Sequence, residues 1–377
     1  MNKKLWFSLL ITGTSLILLS LPGYNPTSTN SDAGQTLRVS PIGEMTTDRA
    51  THQATILENG EVFITGGCAG RGCERILSSA EVFNPDSGSF RSVSPMNTPR
   101  AGHTAVRLPN GHILVAGGWT GIRATRSAEI YNPETDKWNM TGRMSHARAS
   151  LISVSLPDSS VLIMGGGSGR LGDLTTIELF NPASGMFTAA GKSVVNHYLA
   201  TATSNGQVLM SGGQDKEGNI HGMITTYTPE TGKTEQAGVM EVPRVKHAAA
   251  RLPDGRILII GGSGSEGYSQ RYSTTEIFDP KNGTLSNGPS LRYARHKIRD
   301  AVVVLPSGKI VVAGGAIRPE VFDPVNQVFR TLEGQLSGPQ MFATATLLHN
   351  ENILVLGGYD DRTRTSNTAW LIHSGNQ

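Results

Sequence analysis

Residues 252–265 read LPDGRILIIGGSGS, and near-copies stand at 108–120 (LPNGHILVAGGWT), 156–168 (LPDSSVLIMGGGS) and 305–316 (LPSGKIVVAGGA). Each joins a turn, a short apolar run and a glycine pair. Such pairs occur at Gly66-Gly67, Gly117-Gly118, Gly165-Gly166, Gly212-Gly213, Gly261-Gly262, Gly314-Gly315 and Gly357-Gly358. Successive spacings are 51, 48, 47, 49, 53 and 43 residues. Periods near 50 belong to propellers of four-stranded blades rather than to short helical solenoids. Seven pairs predict seven blades.

Six residues before each pair stands a turn residue: Gly60, Gly111, Ser159, Gly206, Gly255, Gly308 and Glu351. Contexts such as Pro109-Asn110-Gly111 suit a tight hairpin with positive φ. The apolar runs on either side become strands one and two. Strand three follows the pair after a variable loop, as in AEVFNP (80–85), AEIYNP (128–133), IELFNP (177–182), EIFDP (276–280) and EVFDP (320–324). The Asn-Pro or Asp-Pro stops it, because proline donates no ladder hydrogen bond. Strand four often carries an aromatic: Phe90, Trp138, Phe187 or Phe329. The seventh copy ends without a fourth strand, while TLRVSPIGEM (36–45) aligns with SFRSVSPMNT (89–98), the fourth strand of the first blade. The N-terminal strand is therefore expected to complete blade seven, closing the ring and covering two sheet edges. The fold class is an all-β, seven-bladed propeller.

The repeat resembles the kelch repeat over 34–377, through the glycine pair, the turn, the Glu-x-aromatic strand and an Arg-x-x-His approach to strand one. The wording around the pair is similar to exported bacterial kelch proteins and to the propeller of galactose-oxidase-like enzymes. Copies four, six and seven depart most, with TYTP (226–229) in place of the Asn-Pro end in copy four.

Composition agrees with many short strands: 45 glycines, 17% charged residues and 6% aromatics. Net charge is +3, or +1 without Lys3 and Lys4, so the cationic footprint of a nucleic-acid binder is absent. The opening MNKKLWFSLLITGTSLILLSLPG has a basic start and an apolar stretch from Leu5 to Leu21, the layout of a secretory signal over 1–23. No small-x-small triplet directly follows it, so cleavage stays open. At about 17 residues the stretch is marginal for a span needing roughly 20. A polar linker over 24–35 and a propeller over 36–377 complete the expected organisation, in an exported protein that is periplasmic, cell-surface or secreted. Cys68 and Cys73, the only cysteines, are expected to form a local disulfide in blade one.

Alternating strand direction puts the loops after strands two and four on one face, where length variation and recognition belong. Those loops carry Arg71, Arg75, Arg123, Arg126, Arg170, Arg271, Arg318, Arg362 and Arg364, with Trp119, Tyr268 and Tyr359 as aromatics. Arginine's planar fork suits carboxylates, phosphates and sulfates, so an anion-preferring mouth is one reading. Solvated loop charges matched by nearby acids are the other. A second set repeats: Arg49, Arg100, Arg148 and Arg244 lie seventeen residues before a pair, and His52, His103 and His247 fourteen before. Recurrence points to a structural task, with Glu81, Glu129, Glu178, Glu276 and Glu320 of strand three as partners. Counting the same way, blade four has Val195 and Tyr198, blade six Lys297 and Asp300, and blade seven Gln340 and Ala343. His197, Tyr198 and Asp300 are thus symmetry-breaking candidates.

The resemblance to galactose-oxidase-like enzymes implies copper held by histidines and tyrosines, one tyrosine cross-linked to cysteine. Here His197-Tyr198 is an adjacent pair, but both cysteines suggest each other, and no cofactor or metal is expected. No catalytic residue is identified. The first functional reading is a binding module for a protein or carbohydrate, with anionic ligands favoured and no nucleic acid. Membrane contact would come only through an uncleaved N-terminal anchor. The alternative is a small carbohydrate-active enzyme, such as the sialic-acid-type epimerases among exported kelch proteins. A structural part of an envelope assembly is a third.

Overall fold

The structure is a computed structural model, and it describes residues 14–16, 37–168, 174–193, 199–202, 206–215, 217–265 and 269–374. All regular structure among them is β. Seven antiparallel four-stranded sheets are arranged in a ring, with sequential strands adjacent in six of them. Blade one comprises Gln53–Ile56, Val62–Thr65, Ala80–Asn84 and Ser89–Val93. Blade five repeats it with Ala248–Arg251, Ile257–Ile260, Thr275–Asp279 and Thr284–Gly288. First strands of neighbouring blades adjoin one another around the ring, so strand one lines the axis. Thr14–Leu16 runs parallel to the first strand of blade three, with Thr14 beside Ile152.

Closure is as expected. Arg38–Glu44 pairs antiparallel with Thr368–His373, placing Arg38 opposite His373 and Glu44 opposite Thr368, with a bulge between Pro41 and Gly43. The first and last strands of the propeller therefore share one sheet.

The second strands are buried on both faces, Val62–Thr65 and Ile257–Ile260 throughout. That is why they read as unbroken apolar runs rather than as alternation. The cores lie between blades. Phe63 and Val82 of blade one pack with Ile113, Val115 and Tyr131 of blade two, and Leu258 and Ile277 of blade five with Ile310, Val312 and Phe322 of blade six.

The glycine pairs fasten those blades together. Gly66, Gly67, Gly117 and Gly118 all have positive φ, as do four further pairs. A Cβ on Gly66 would lie 2.5 Å from the Arg100 carbonyl oxygen of the next blade, and one on Gly117 would lie 2.6 Å from that of Arg148. The second glycine donates its N–H to the same carbonyl, at 2.7 Å for Gly67 and 2.8 Å for Gly118. Only glycine permits the backbone angle and the close approach together. The seven turn residues also have positive φ, from Glu351 at 64° to Gly255 at 92°.

Candidate functional site

Arg49, Arg100, Arg148 and Arg244 are fully buried and pair with Glu81, Glu129, Glu178 and Glu276 at 2.6, 2.8, 2.9 and 2.7 Å. Each also donates to the carbonyl of the first glycine of its pair, as Arg49 does to Gly66 at 2.8 Å. The glutamates in turn accept backbone N–H groups, Glu129 from Asn97 and Thr98. Each carboxylate oxygen has at least one donor, which is what a buried carboxylate needs.

Blade six obliges a correction. Lys297 and Asp300 do not occupy the arginine and histidine positions there. Arg295 does the arginine's work, meeting Glu320 at 2.5 Å and the Gly314 carbonyl at 2.9 Å. A Cβ on Gly315 would meet the Ile298 side chain, as one on Gly118 would meet His103, so Ile298 stands where a histidine stands elsewhere. The register differs because Arg299-Asp300 is inserted as a turn before strand one, with Ala301 N–H donating back to Ile298 O at 3.0 Å. The signal in the sequence is the spacing into blade six, which at 53 residues is the longest of the six.

The histidines stitch blades together. His52 reaches Thr344 Oγ1, His103 reaches Thr65 Oγ1 and His247 reaches Ser211 Oγ, each at 2.9 Å. Burial, reinforced by the Arg100 charge, holds His103 down to about 3.

Two residues after each of these arginines, and after Gln340 in blade seven, stands a residue of an inner ring. Thr51, Ser150, Lys246, Lys297 and Phe342 hold positive φ there, as does Gly102. They are joined by backbone hydrogen bonds: Gly102 to Thr51 O, Ser150 to Gly102 O, Lys297 to Lys246 O, Phe342 to Lys297 O, and Thr51 to Phe342 O. This collar floors the loop face. Its chemistry is uneven. Blades one to three supply Thr51, Gly102 and Ser150; blades five to seven supply Lys246, Lys297 and Phe342.

Both lysines lie over one ring, their Nζ atoms 5.8 and 5.4 Å from the Phe342 centroid. Lys297 Nζ also donates to Tyr359 Oη at 2.9 Å. Burial first, and then the charges of Lys297 and Arg299, hold Lys246 well below the usual lysine range. Burial and the Arg271 charge bring Lys297 down to about 8. The inserted Arg299 crosses the axis and donates to Leu151 O of blade three at 3.2 Å. Its neighbour Asp300 lies 3.9 Å away, and burial pushes that carboxyl up to about 8 in spite of Arg299.

The rim carries the arginines expected there. Arg71, Arg123, Arg126, Arg318 and Arg362 are exposed. Three others face acids: Arg75 and Asp48 at 3.7 Å, Arg364 and Asp360 at 2.7 Å, and Arg271 and Asp361 at 2.6 Å. The last pair joins the loops of blades five and seven above the short loop of blade six. Trp119 is half-buried and Tyr359 buried, so neither is an exposed platform; Ile122, 86% exposed, is the apolar tip of the rim. Cys68 and Cys73 form a disulfide with Cα atoms 4.9 Å apart, beside Phe342 and Tyr359 in the core under the mouth. Arg170, His197, Tyr198 and Tyr268 lie outside the described residues.

Sequence reasoning passed over the axial cations as a group. Lys246 and Lys297 occupy one position of the repeat, in Arg244-Val245-Lys246 and Arg295-His296-Lys297. Aligning blade six on Arg295 would have shown the match.

The cysteine–tyrosine cross-link of the oxidase kind does not fit the described residues, because Cys68 and Cys73 are bonded to each other.

The family profile described as Kelch motif matches residues 59–97, 99–145 and 244–292. A galactose oxidase of Gibberella zeae is 24% identical over 128 residues, which make up 33% of this chain and only 18% of that protein. Among solved structures, a copper-bound fungal alcohol oxidase of the AA5 family superposes with a TM-score of 0.71 at 17% identity, over 90% of this chain and 76% of the other. The structure of YjhT gives 0.57 at 14% identity, over 88% of this chain and 97% of its own. At these identities the likeness is one of fold.

Proposed function

We propose that this kelch-repeat propeller, of the galactose-oxidase-like kind, is a recognition module that takes an anionic group of a glycan or protein at the axis of its loop face. One observation carries the reading: Lys246, Lys297 and Arg299 converge on the collar, two of them over one aromatic ring. Gathering like charges in a half-buried place opposes folding, and such arrangements concentrate at functional sites. A carboxylate, sulfate or phosphate entering there offsets the repulsion and draws protons onto the lysines. Binding should therefore be accompanied by proton uptake near pH 8, where Lys297 titrates. The exposed rim arginines would steer the approach, and Phe342 and Tyr359 would support apolar faces of the ligand.

Calorimetry against acidic glycans and acidic peptides, in two buffers of different ionisation enthalpy, tests this. Arg299→Gln and Lys246→Met should each weaken binding ten-fold or more, and the Arg123→Glu, Arg126→Glu pair should mainly slow association. Unchanged affinity in both axial variants would remove the site. Export belongs to the same reading; the leader pattern over 1–23 and the Cys68–Cys73 bond support it, and cell fractionation tests it.

A second reading has one observation in its favour. Asp300, a carboxyl near neutrality beside Arg299, is suited to proton transfer on a bound sugar acid. Anomer exchange of a sugar acid followed by NMR, lost in Asp300→Asn with binding retained, would establish the enzyme instead.

A further inference from the structure

We infer that Lys297 is a carbonyl-reactive amine, placed to capture an aldehyde or ketone that carries an anionic group as an imine, with Tyr359 as the proton donor. The inference rests on the axial reading for where the ligand sits, and adds a covalent step to it.

The warrant is geometric. Lys297 is held by the collar through its own backbone, its N–H donating to Lys246 O at 2.8 Å, while Phe342 N–H donates to its carbonyl at 2.9 Å. Its Nζ lies 2.9 Å from Tyr359 Oη and above the Phe342 and Tyr359 rings, at 5.4 and 5.3 Å from their centroids. The amine thus sits on an apolar floor with a hydroxyl in contact. Lys246 shares that floor, and Arg299 lies in the same charge field. Burial together with the nearby Arg271 charge is the arrangement that makes an amine available as a nucleophile near neutral pH. The charges that act on Lys297 are mixed. Arg271 disfavours its protonated form, Asp361 opposes that from the blade-seven loop, and His296 is held neutral, its pKa brought down to about 2 chiefly by burial.

The step conserves atoms. The Nζ lone pair attacks the carbonyl carbon, and the C=O π pair moves to oxygen, which takes a proton from Tyr359. Nitrogen then gives a proton to the tyrosinate. Tyr359 then protonates the carbinolamine oxygen, water leaves as the nitrogen lone pair forms the C=N bond, and the iminium N–H returns its proton to the tyrosinate: amine and carbonyl in, imine and water out. The anionic group of the same molecule meets Lys246 and Arg299, which selects an oxo acid over a neutral aldehyde.

The experiment traps the adduct. The full chain is incubated with glyoxylate or acetaldehyde plus cyanoborohydride, and modified lysines are mapped by mass spectrometry over time and pH. With glyoxylate, Lys297 should be modified at least ten-fold faster than the exposed Lys137, Lys233 and Lys281, with a rate midpoint near pH 8. Acetaldehyde, which has no anionic group, should show a smaller preference. Lys297→Arg should remove the fast adduct. Lys246→Met should slow it by weakening capture of the anionic group, and Tyr359→Phe should leave the modified site unchanged while slowing it. Equal rates for Lys297 and the exposed lysines, in protein whose near-ultraviolet circular dichroism is native, overturn the inference. Glyoxylate binding seen by calorimetry without a fast adduct removes the covalent step and leaves the anion site standing; neither binding nor adduct removes both.

Discussion

Arg100 and Lys246 belong to adjacent stretches of the same repeat and are both buried cations, yet they are surrounded oppositely. Arg100 spreads over a glutamate, the Gly117 carbonyl and Ser127. Lys246 has Lys297 and Arg299 as the charges that act on it. The first environment recurs in five blades and the second is confined to one arc of the axis. Where the glutamate is missing, the arginine is missing as well: blade seven has Gln340 with Trp370 opposite Val355, and blade four has Val195 with Thr225 opposite Met210. Repeats within one chain thus act as their own double mutants. A pair lost together indicates a structural bond, because one buried charge left behind costs more than the pair contributes. Cations confined to one arc of the axis, instead of recurring with the repeat, indicate a ligand.

The strongest way to break this contrast is to split a pair. Glu129→Ala should cost about 3–5 kcal/mol, read from denaturant unfolding, since it strands Arg100 and the N–H groups of Asn97 and Thr98 together. Arg100→Val with Glu129→Thr, which copies blade four, should cost at least about 1 kcal/mol less than the two single changes added together. Strict additivity would mean that the two side chains do not act as a pair. Lys246→Met should behave the other way, leaving stability unchanged or higher while ligand is lost, as removal of an unfavourable functional charge does.

The next effect is in pH and separates the same two groups. His103, held near 3 against an ordinary 6.5, is neutral when folded. A depressed pKa contributes stability that is complete above 6.5 and is lost as pH falls towards 3. Acid unfolding should therefore steepen in that window, with losses of a few kcal/mol at about 1.4 kcal/mol for each unit. Asp300, raised from 3.8 to about 8, has the opposite sign: its contribution is complete below 3.8 and is lost as pH rises through 8. Between pH 3.8 and 6.5 the two slopes oppose each other, so Asp300→Asn should steepen the acid limb there and flatten the profile from 6.5 to 8. A flat profile from pH 6.5 to 8 in the unaltered protein would count against the buried state of this carboxyl.

The architecture was legible because each copy repeats the same local physics: a turn residue at positive φ, a strand apolar on both faces, and two glycines where a neighbouring carbonyl leaves no room for a Cβ. The Arg–Glu pairs were legible for the same reason. The axial site was not, since it exists only where copies differ, and one period count misaligned the blade that differs most. Lys297 and Asp300 were noticed as departures, but spacing alone could not show that Arg299 spans the axis to Leu151 or that Phe342 and Tyr359 lie under the lysine. Those contacts join residues 148 and 62 positions apart in sequence.

Two smaller effects sharpen the contrast at the rim. Opening the Cys68–Cys73 bond in a Cys68→Ala, Cys73→Ala protein frees a loop spanning only 5 positions, which should cost roughly 2 kcal/mol or less. Because both cysteines pack beside Phe342 and Tyr359, the sharper readout is weaker ligand binding. The smallest stability change should come from Asp361→Asn. Its bond to Arg271 has side chains 33% and 61% exposed, and pairs of that kind contribute about 0.2–1 kcal/mol, less in salt. Yet Asp361 is the charge that raises the Lys297 pKa while Arg271 lowers it. Removing it should move the lysine titration below 8 and release Arg271 towards the mouth, so that anion affinity rises at neutral pH while the melting temperature hardly moves. An NMR titration of Lys297 in Asp361→Asn that stays at its original midpoint would show that the rim pair is electrically separate from the axis, and would confine the ligand site to the collar.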